Sequence, residues 1–152
     1  MKAITVGVLA FHGDVIEHIE ASRQAARNLH ISVDIIPVRT KEELRRCCAL
    51  IIPGGESTTL YKLCTREGMF EQMKTVPYLF GTCAGAIMLA KTVHRKTEDQ
   101  RTLERMGLTI DRNAYGRQTD SFEREINTAL GRLRAIFIRA PRIQRVEKGV
   151  RV

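Results

Sequence analysis

The stretch most suggestive of chemistry is a cysteine set between two glycines, Gly81-Thr82-Cys83-Ala84-Gly85. Residues 77–80 before it predict a short buried strand, and the small and apolar residues up to Ala90 predict a helix. A turn this sharp between strand and helix leaves no room for larger side chains beside the nucleophile. The N–H groups and dipole at the start of the helix also favour an anionic sulfur. We therefore predict that Cys83 is a nucleophile at the apex of a nucleophile elbow.

A second glycine-rich loop, residues 53–59, follows the apolar run 49–52. Gly54 and Gly55 let backbone N–H groups approach a ligand closely, and paired N–H groups facing a sulfur nucleophile can form an oxyanion hole during acyl transfer. Such a loop alone is more often a simple turn. Opposite an elbow, it indicates a site.

Apolar, β-branched runs alternate with amphipathic runs along the first part of the chain. This alternation implies right-handed crossovers and a mostly parallel sheet flanked by helices, a three-layer α/β fold. Local patterns agree, because Pro37 suggests a sheet edge or a strand end, Asp14 an N-cap, and Thr40 with Glu43 a capping box. The predicted strands are 3–10, 33–38, 49–52 and 77–80, and the predicted helical runs begin after Asp14 and Thr40 and include 60–63 and 69–73.

Ligands bind such sheets at the carboxyl ends of the strands. The loops 11–14, 54–57 and 81–85 each follow a strand, so we expect them to share one edge. Beyond the elbow helix the pattern weakens, and the mostly polar residues 92–105 predict a surface connection. Short strands are predicted at 108–110, 118–122 and 133–138, with a turn at 113–116.

A cysteine hydrolase also needs a base. The candidates are His12, His18, His30 and His94. His18 precedes Glu20 by two residues, but side chains two apart on a helix point in different directions, so we interpret His18 as an ordinary surface histidine. His94 lies beyond the elbow helix and is a poor candidate. His12, on the first loop, is a possible contact residue.

The composition fits one domain, residues 1–152, with 43% hydrophobic residues to form its core. No run reaches the roughly 18–20 apolar residues of a membrane helix, and the start of the chain lacks the layout of a signal peptide. The four cysteines show neither metal-ligand spacing nor the density of a disulfide scaffold. We expect a soluble cytoplasmic protein with free thiols and no metal or cofactor, in which Cys47 and Cys48 are structural.

The net charge of +8 is concentrated near the end of the chain. Seven basic residues against one acidic residue after Gly131 supply six of these positive charges. They are Arg132, Arg134, Arg139, Arg142, Arg145, Lys148 and Arg151, against Glu147. No stacking aromatics or binding motif accompany them, so we interpret them as a solvated face and expect no nucleic-acid partner.

Four motifs in order resemble the glutaminase subunit of pyridoxal 5′-phosphate synthase, a class I glutamine amidotransferase. The elbow alone would indicate only the wider class. The motifs are Gly54-Gly55-Glu56-Ser57-Thr58-Thr59, Phe80-Gly81-Thr82-Cys83-Ala84-Gly85, Gly116-Arg117-Gln118-x-Asp120-Ser121-Phe122-Glu123 and Phe137-Ile138-Arg139-Ala140-Pro141.

The resemblance implies a flavodoxin-like amidotransferase fold and hydrolysis of L-glutamine to glutamate and ammonia through a Cys83 thioester. Ammonia would pass to a separate synthase subunit, the implied partner. The implied oxyanion hole uses Gly54, Gly55 and Ala84. The implied substrate contacts are Gly55, Glu56, Ser57, Arg117, Ile138 and Arg139, with an arginine matching the α-carboxylate of glutamine.

Two departures from the family stand out. The first loop reads Phe11-His12-Gly13 where the family has Leu-Gln-Gly, and the family's His-Pro-Glu, the base and its orienting group, does not occur in the sequence. From the second we expect a chain that is C-terminally incomplete relative to the family and poorly active as it stands. Two other readings remain open, an elbow-cysteine peptidase or hydrolase of a related fold and a non-catalytic basic binding module.

Overall fold

The structure, a computed structural model, describes residues 4–151, apart from the side chain of Gln118. The predicted strand start at Ala3 and the leading Met1 and Lys2 lie outside the described residues. The strands are β1 (Ile4–Leu9), β2 (Val33–Val38), β3 (Ala49–Ile52), β4 (Tyr78–Gly81), β5 (Ala90–His94), β6 (Met106–Asp111), β7 (Phe122–Thr128), β8 (Gly131–Phe137) and β9 (Arg142–Val146). The helices are α1 (Val15–Asn28), α2 (Lys41–Arg46), α3 (Ser57–Arg66), α4 (Phe70–Met73) and α5 (Ala84–Leu89).

The main sheet contains four parallel strands in the order β2-β1-β3-β4. Strand β1 is central and apolar, and its Val8 and Leu9 are fully buried. Pro37 lies on β2, at the edge of the sheet, where the lack of an N–H group is tolerated. The predicted parallel α/β architecture and the edge position of Pro37 are confirmed. The prediction of a buried strand before the elbow is wrong, because β4 is the other edge strand and its Tyr78 and Phe80 are exposed.

The helix starts follow local side-chain chemistry. The predicted capping box at α2 is present, because the Thr40 hydroxyl accepts from the Glu43 N–H at 3.2 Å and the Glu43 carboxylate accepts from the Thr40 N–H at 3.0 Å. Asp14 occupies the N-cap position of α1 as predicted, but its side chain makes no capping hydrogen bond. Its carboxylate contacts His18 instead.

The elbow helix α5 lies between two apolar clusters. Ala84, Met88 and Leu89 belong to the larger cluster, which includes Leu50, Ile52, Leu60 and Met73 from the surrounding elements. Ile87 belongs to the smaller cluster with Ala90, Val93, Leu108 and Ile110. Burial on both sides fixes this short helix by tertiary packing rather than by helix propensity.

The segment 92–105 is not the surface connection that its polarity predicts. Strand β5 occupies its beginning, and Gln100, Thr102 and Leu103 are buried. Strand β5 pairs in parallel with β6, which pairs antiparallel with β9 in a second sheet. Strand β9 was not predicted, because its mostly exposed, basic residues hide the alternation of a strand.

Strands β7 and β8 form an antiparallel hairpin with mostly exposed side chains. The predicted strand at 118–122 is wrong, since residues Gln118–Asp120 form a 3-10 turn and β7 starts at Phe122. Phe122 stacks on Phe137 across the hairpin, with ring centroids 4.7 Å apart. Two of the basic residues near the end of the chain form ion pairs here, Arg132 with Glu125 and Arg134 with Glu123.

Replacing Gly85 by alanine tests the packing of the elbow. A Cβ at Gly85 would overlap the carbonyl oxygen of Ile52, which is backbone and cannot move aside. We expect G85A to lower the free energy of unfolding by about 3 kcal/mol in chemical denaturation. The control is G149A, where φ is +98° and a Cβ meets nothing, so only the backbone cost of about 1 kcal/mol applies. Equal decreases in the free energy of unfolding of G85A and G149A would contradict this packing.

Candidate active site

Cys83 has a backbone conformation that non-glycine residues rarely adopt, with φ of 47° and ψ of −105°. Its side chain is exposed. The flanking glycines are required, since a Cβ on Gly81 would lie 2.6 Å from the carbonyl oxygen of Gly85, and one on Gly85 would overlap Ile52. Strain of this kind persists only where the surroundings enforce it. The geometry is that of the predicted nucleophile elbow.

Hydrogen bonds hold the backbone on both sides of Cys83. The Thr82 N–H donates to the carbonyl of Ile52 at the end of β3, at 3.2 Å, and the Gly85 N–H donates to the carbonyl of Thr82 at 2.8 Å. The Ile87 N–H donates to the carbonyl of Cys83 at 3.1 Å, which continues the turn into α5. The sulfur therefore stands on a turn that is fixed to the sheet and to the helix.

The glycine-rich loop after β3 passes directly beside the elbow. A Cβ on Gly54 would lie only 3.5 Å from the Cβ of Cys83. The first loop, residues 11–14, packs against this glycine-rich loop. A Cβ on Gly13 would overlap the Gly54 carbonyl, and a Cβ on Gly55 would lie 2.5 Å from the His12 ring. The three loops thus share one sheet edge, as predicted.

The predicted oxyanion-hole residues are adjacent to the nucleophile. Gly54 borders Cys83, Gly55 follows it, and Ala84 begins α5, where the first N–H groups of a helix have no partner within the helix. The Nε2 atom of His12 is buried and makes no hydrogen bond among residues 4–151. His12 is placed at the loop as the sequence indicates.

Glu56 and Ser57 form the start of α3. The Glu56 carboxylate caps this helix, accepting from the Thr58 N–H at 3.0 Å and the Thr59 N–H at 2.7 Å. Partial burial alone would raise the pKa of Glu56, but the Thr59 hydroxyl, these N–H groups and Arg112 together lower it to about 2. The Glu56 side chain is thus engaged at the start of α3, so the predicted substrate contact at this residue would have to be made by its backbone.

Ser57 is 1% exposed, and its hydroxyl has no hydrogen-bond partner among the described residues. Because buried polar groups are nearly always paired, an unpaired hydroxyl in this loop marks a place for a polar ligand group or water.

Arg112, which sequence reasoning missed, joins this region to the end of β6. Its guanidinium forms an ion pair with Glu56 and donates to the Thr58 hydroxyl at 2.8 Å and to the side-chain oxygen of Gln100 at 3.4 Å. The available pattern was an arginine two residues after the predicted strand 108–110. The nearby Gly116-Arg117-Gln118 motif predicts a functional arginine at Arg117 instead.

His18 is not the ordinary surface histidine that the sequence suggests. Its side chain is 15% exposed, and its Nε2 lies 3.0 Å from the Thr82 hydroxyl and 3.3 Å from the Asp14 carboxylate. As predicted, Glu20 is not a partner of His18. The relevant partners are one helical turn back and 64 residues ahead in the chain.

The structure brings Arg117 and Arg139 together. They line one pocket with Asn113 and Gly116. Ile138, which precedes Arg139, is half exposed at the end of β8. Within residues 4–151, no hydrogen bond or ion pair links either arginine to the elbow, so their predicted contact with the substrate of Cys83 stays a prediction.

The other cysteines differ from Cys83 in their surroundings. Cys47 and Cys64 are buried, and burial raises the pKa of the Cys47 thiol to about 11 and that of Cys64 to about 12. Residues 4–151 contain no group of three or more His, Cys, Asp or Glu side chains that could hold a metal ion. In the same range no helix has the length and apolar character needed to cross a bilayer.

Fold and elbow together define a glutamine amidotransferase-like α/β protein, and comparisons with known proteins agree. A solved structure titled "Crystal structure of glutamine amidotransferase" superposes with a TM-score of 0.78 at 41% identity, covering 95% of this chain and 76% of that one. The model of the SNO glutamine amidotransferase family matches residues 8–152. The chain belongs to the SNO glutamine amidotransferase family.

Its relatives include proteins named pyridoxal 5′-phosphate synthase subunit PdxT. The one from Thermococcus kodakarensis is 47% identical over 146 residues, 92% of this chain and 74% of the relative. The one from Pyrococcus horikoshii is 46% identical over 144 residues, 91% and 74% of the two chains. The one from Pyrobaculum arsenaticum is 47% identical over 145 residues, 90% and 71%.

Selective alkylation tests the exposure of the nucleophile. With thiol pKa values of about 11 and 12, only about one Cys47 in a thousand and one Cys64 in ten thousand are ionised at pH 8. We expect iodoacetamide to modify Cys83 well before these two, as measured by peptide mass spectrometry over time. Denatured protein, in which all four cysteines react, and C83S are the controls. Modification of Cys47 or Cys64 as fast as Cys83 would contradict the site.

The hydrogen bonds and the ion pair of the Glu56 carboxylate make the free energy of unfolding depend on pH. Because the folded-state pKa of Glu56 is lowered from 4.5 to about 2, its stabilisation is complete above about pH 5 and is lost as the pH falls toward 2. We expect E56Q to be less stable than the parent at pH 7, with the gap closing between pH 5 and pH 2 in urea denaturation. E20Q, on the exposed surface of α1, is the control. A gap that does not vary with pH would refute the assignment.

Proposed function

We propose that this chain is the glutaminase subunit of a pyridoxal 5′-phosphate synthase, hydrolysing L-glutamine to glutamate and ammonia and passing the ammonia to a synthase subunit. The observation that carries the proposal is the closeness of the glycine-rich loop to the strained Cys83, since a Cβ placed on Gly54 would lie 3.5 Å from the Cβ of Cys83. The family match and the PdxT relatives support the choice of glutamine.

The chemistry follows from the elbow. The Cys83 sulfur attacks the side-chain amide carbon of glutamine, and the oxygen becomes an oxyanion, stabilised by backbone N–H groups of the Gly54-Gly55 loop and of Ala84. The carbon–nitrogen bond breaks, and the nitrogen leaves as ammonia with the thiol proton. A γ-glutamyl thioester remains, and water converts it to glutamate and the free thiol.

Polar groups around the loop suit the other end of glutamine. The backbone of residues 55–57 and the unpaired Ser57 hydroxyl provide hydrogen-bonding groups beside the elbow. The arginines Arg117 and Arg139, with Ile138 beside them, are proposed to contact the substrate, where a guanidinium would pair with the α-carboxylate. Residues 1–152 act as one glutaminase domain in this proposal, in the cytoplasm, where four free thiols stay reduced.

The two other readings receive less support. An elbow-cysteine peptidase explains Cys83 but gives the Gly54–Ser57 loop and the Arg117 motif no role. A basic binding module does not explain a strained cysteine between close-packed glycines, and ion pairs already engage Arg132 and Arg134.

A glutamine analogue with a diazoketone in place of the amide tests the function. Its reaction with Cys83 forms a thioether and releases dinitrogen, so the assay needs no base for the hydrolytic step. We expect labelling of Cys83 at least about tenfold faster than of the other three cysteines, slowed by free L-glutamine but not by L-glutamate or a peptide. If a peptide slows the labelling of Cys83 and L-glutamine does not, the result would favour the peptidase.

Ammonia release is the second measurement. Because the His-Pro-Glu of the family does not occur in the sequence, we expect this chain with the synthase subunit to release ammonia far more slowly than it is labelled. Family-like turnover would show that another residue serves as the base.

A further inference from the structure

Three polar side chains meet beside the elbow, on the side facing α1. The Nε2 atom of His18 lies 3.0 Å from the Thr82 hydroxyl and 3.3 Å from an Asp14 carboxylate oxygen. Phe80 packs edge-on against the imidazole, with ring centroids 6.3 Å apart and planes at 77°. The His18 side chain is only 15% exposed, whereas the Asp14 side chain at the outer side of the cluster is 46% exposed. Neither the oxyanion hole nor the thioester chemistry uses this cluster.

Thr82 is the residue immediately before the strained nucleophile. Its N–H is held by Ile52, its carbonyl by the Gly85 N–H, and its hydroxyl by His18. Backbone strain at Cys83, φ 47° and ψ −105°, has to be maintained by the surroundings. The His18 contact is the part of this support that comes from a side chain outside the sheet and α5.

Asp14 extends the cluster to the oxyanion loop. Its second carboxylate oxygen lies where a Cβ on Gly54 would be only 2.9 Å away. One carboxylate therefore lies beside both the imidazole that binds the elbow and the loop that borders Cys83. Asp14 is free for this because it makes no capping hydrogen bond to α1.

We propose that Asp14, His18 and Thr82 form a positioning triad that holds the Cys83 elbow and the Gly54-Gly55 loop at the spacing that attack on the glutamine amide requires. The triad acts through Thr82 and Gly54 and does not touch the substrate. This inference rests on the proposed glutaminase function.

The test compares labelling of Cys83 by the diazoketone analogue and by iodoacetamide in H18A, T82V, the double variant and H18Q. Labelling by the analogue requires its glutamine-like part to be bound with the diazo carbon aligned on the sulfur, whereas iodoacetamide alkylates an accessible thiol without prior binding. We expect H18A and T82V each to slow analogue labelling about tenfold, roughly the factor that one side-chain hydrogen bond supplies, with iodoacetamide labelling within about twofold of the parent. The rate of analogue labelling in the double variant should be no lower than in either single variant.

Rescue separates positioning from general stability. In H18Q the side-chain amide can place an N–H donor near the position of the His18 Nε2 atom, so we expect this variant to recover most of the labelling rate that H18A loses. E20A on α1 and T75V, which loses a hydroxyl bond far from the elbow, are the matched controls and should label like the parent. Thermal denaturation of every variant checks that it is folded.

Three outcomes would overturn the triad: parent-like labelling in H18A and T82V, multiplying losses in the double variant, or equal slowing with both reagents. In each of these cases the parent is still labelled with glutamine protection, and the glutaminase function stands. If the parent itself shows no glutamine-protected labelling, the proposed function fails first and the triad falls with it.

Discussion

The site depends on one backbone constraint, the left-handed conformation of Cys83 in a turn with no space for side chains on either side. A positive φ at cysteine is unfavourable by itself, so the energy that maintains it comes from packing elsewhere. The carbonyl of Ile52 lies against Gly85, and the carbonyl of Gly85 lies against Gly81. These backbone contacts make the two glycines obligatory, and the Cys83 side chain between them is exposed.

The surrounding architecture supplies rigidity to that turn. Helix α5 has only six residues, too few to be stable alone, yet it is buried between two apolar clusters. The parallel sheet brings the ends of β1, β3 and β4 to one edge, so three loops from distant parts of the sequence meet there. The fold thus holds the strained Cys83 at a fixed position relative to the loop that follows β3.

How far the sequence predicts this arrangement depends on whether the determinants are local. The elbow, the glycine loop, the capping box at Thr40 and the edge position of Pro37 follow from residue types at short spacing, and the structure has all of them. His18 and Arg112 act through partners 64 and 56 residues away, and no periodicity reveals such pairs. Strand β9 was missed for a related reason, since antiparallel pairing with β6 stabilises a segment whose own residues are mostly polar.

The charge of Glu56, in the loop beside Cys83, is balanced by groups at the start of α3. Glu56 is drawn into the helix cap and balanced by Arg112, which also engages Thr58 and Gln100. The Ser57 hydroxyl and the Gln100 amide nitrogen are buried and unpaired among the described residues. Leaving a buried polar group unpaired costs about 1–3 kcal/mol, and such groups are concentrated where a ligand or ordered water completes them. The charges at the start of α3 are therefore balanced within the protein, while the buried Ser57 hydroxyl is left to pair with a ligand or an ordered water.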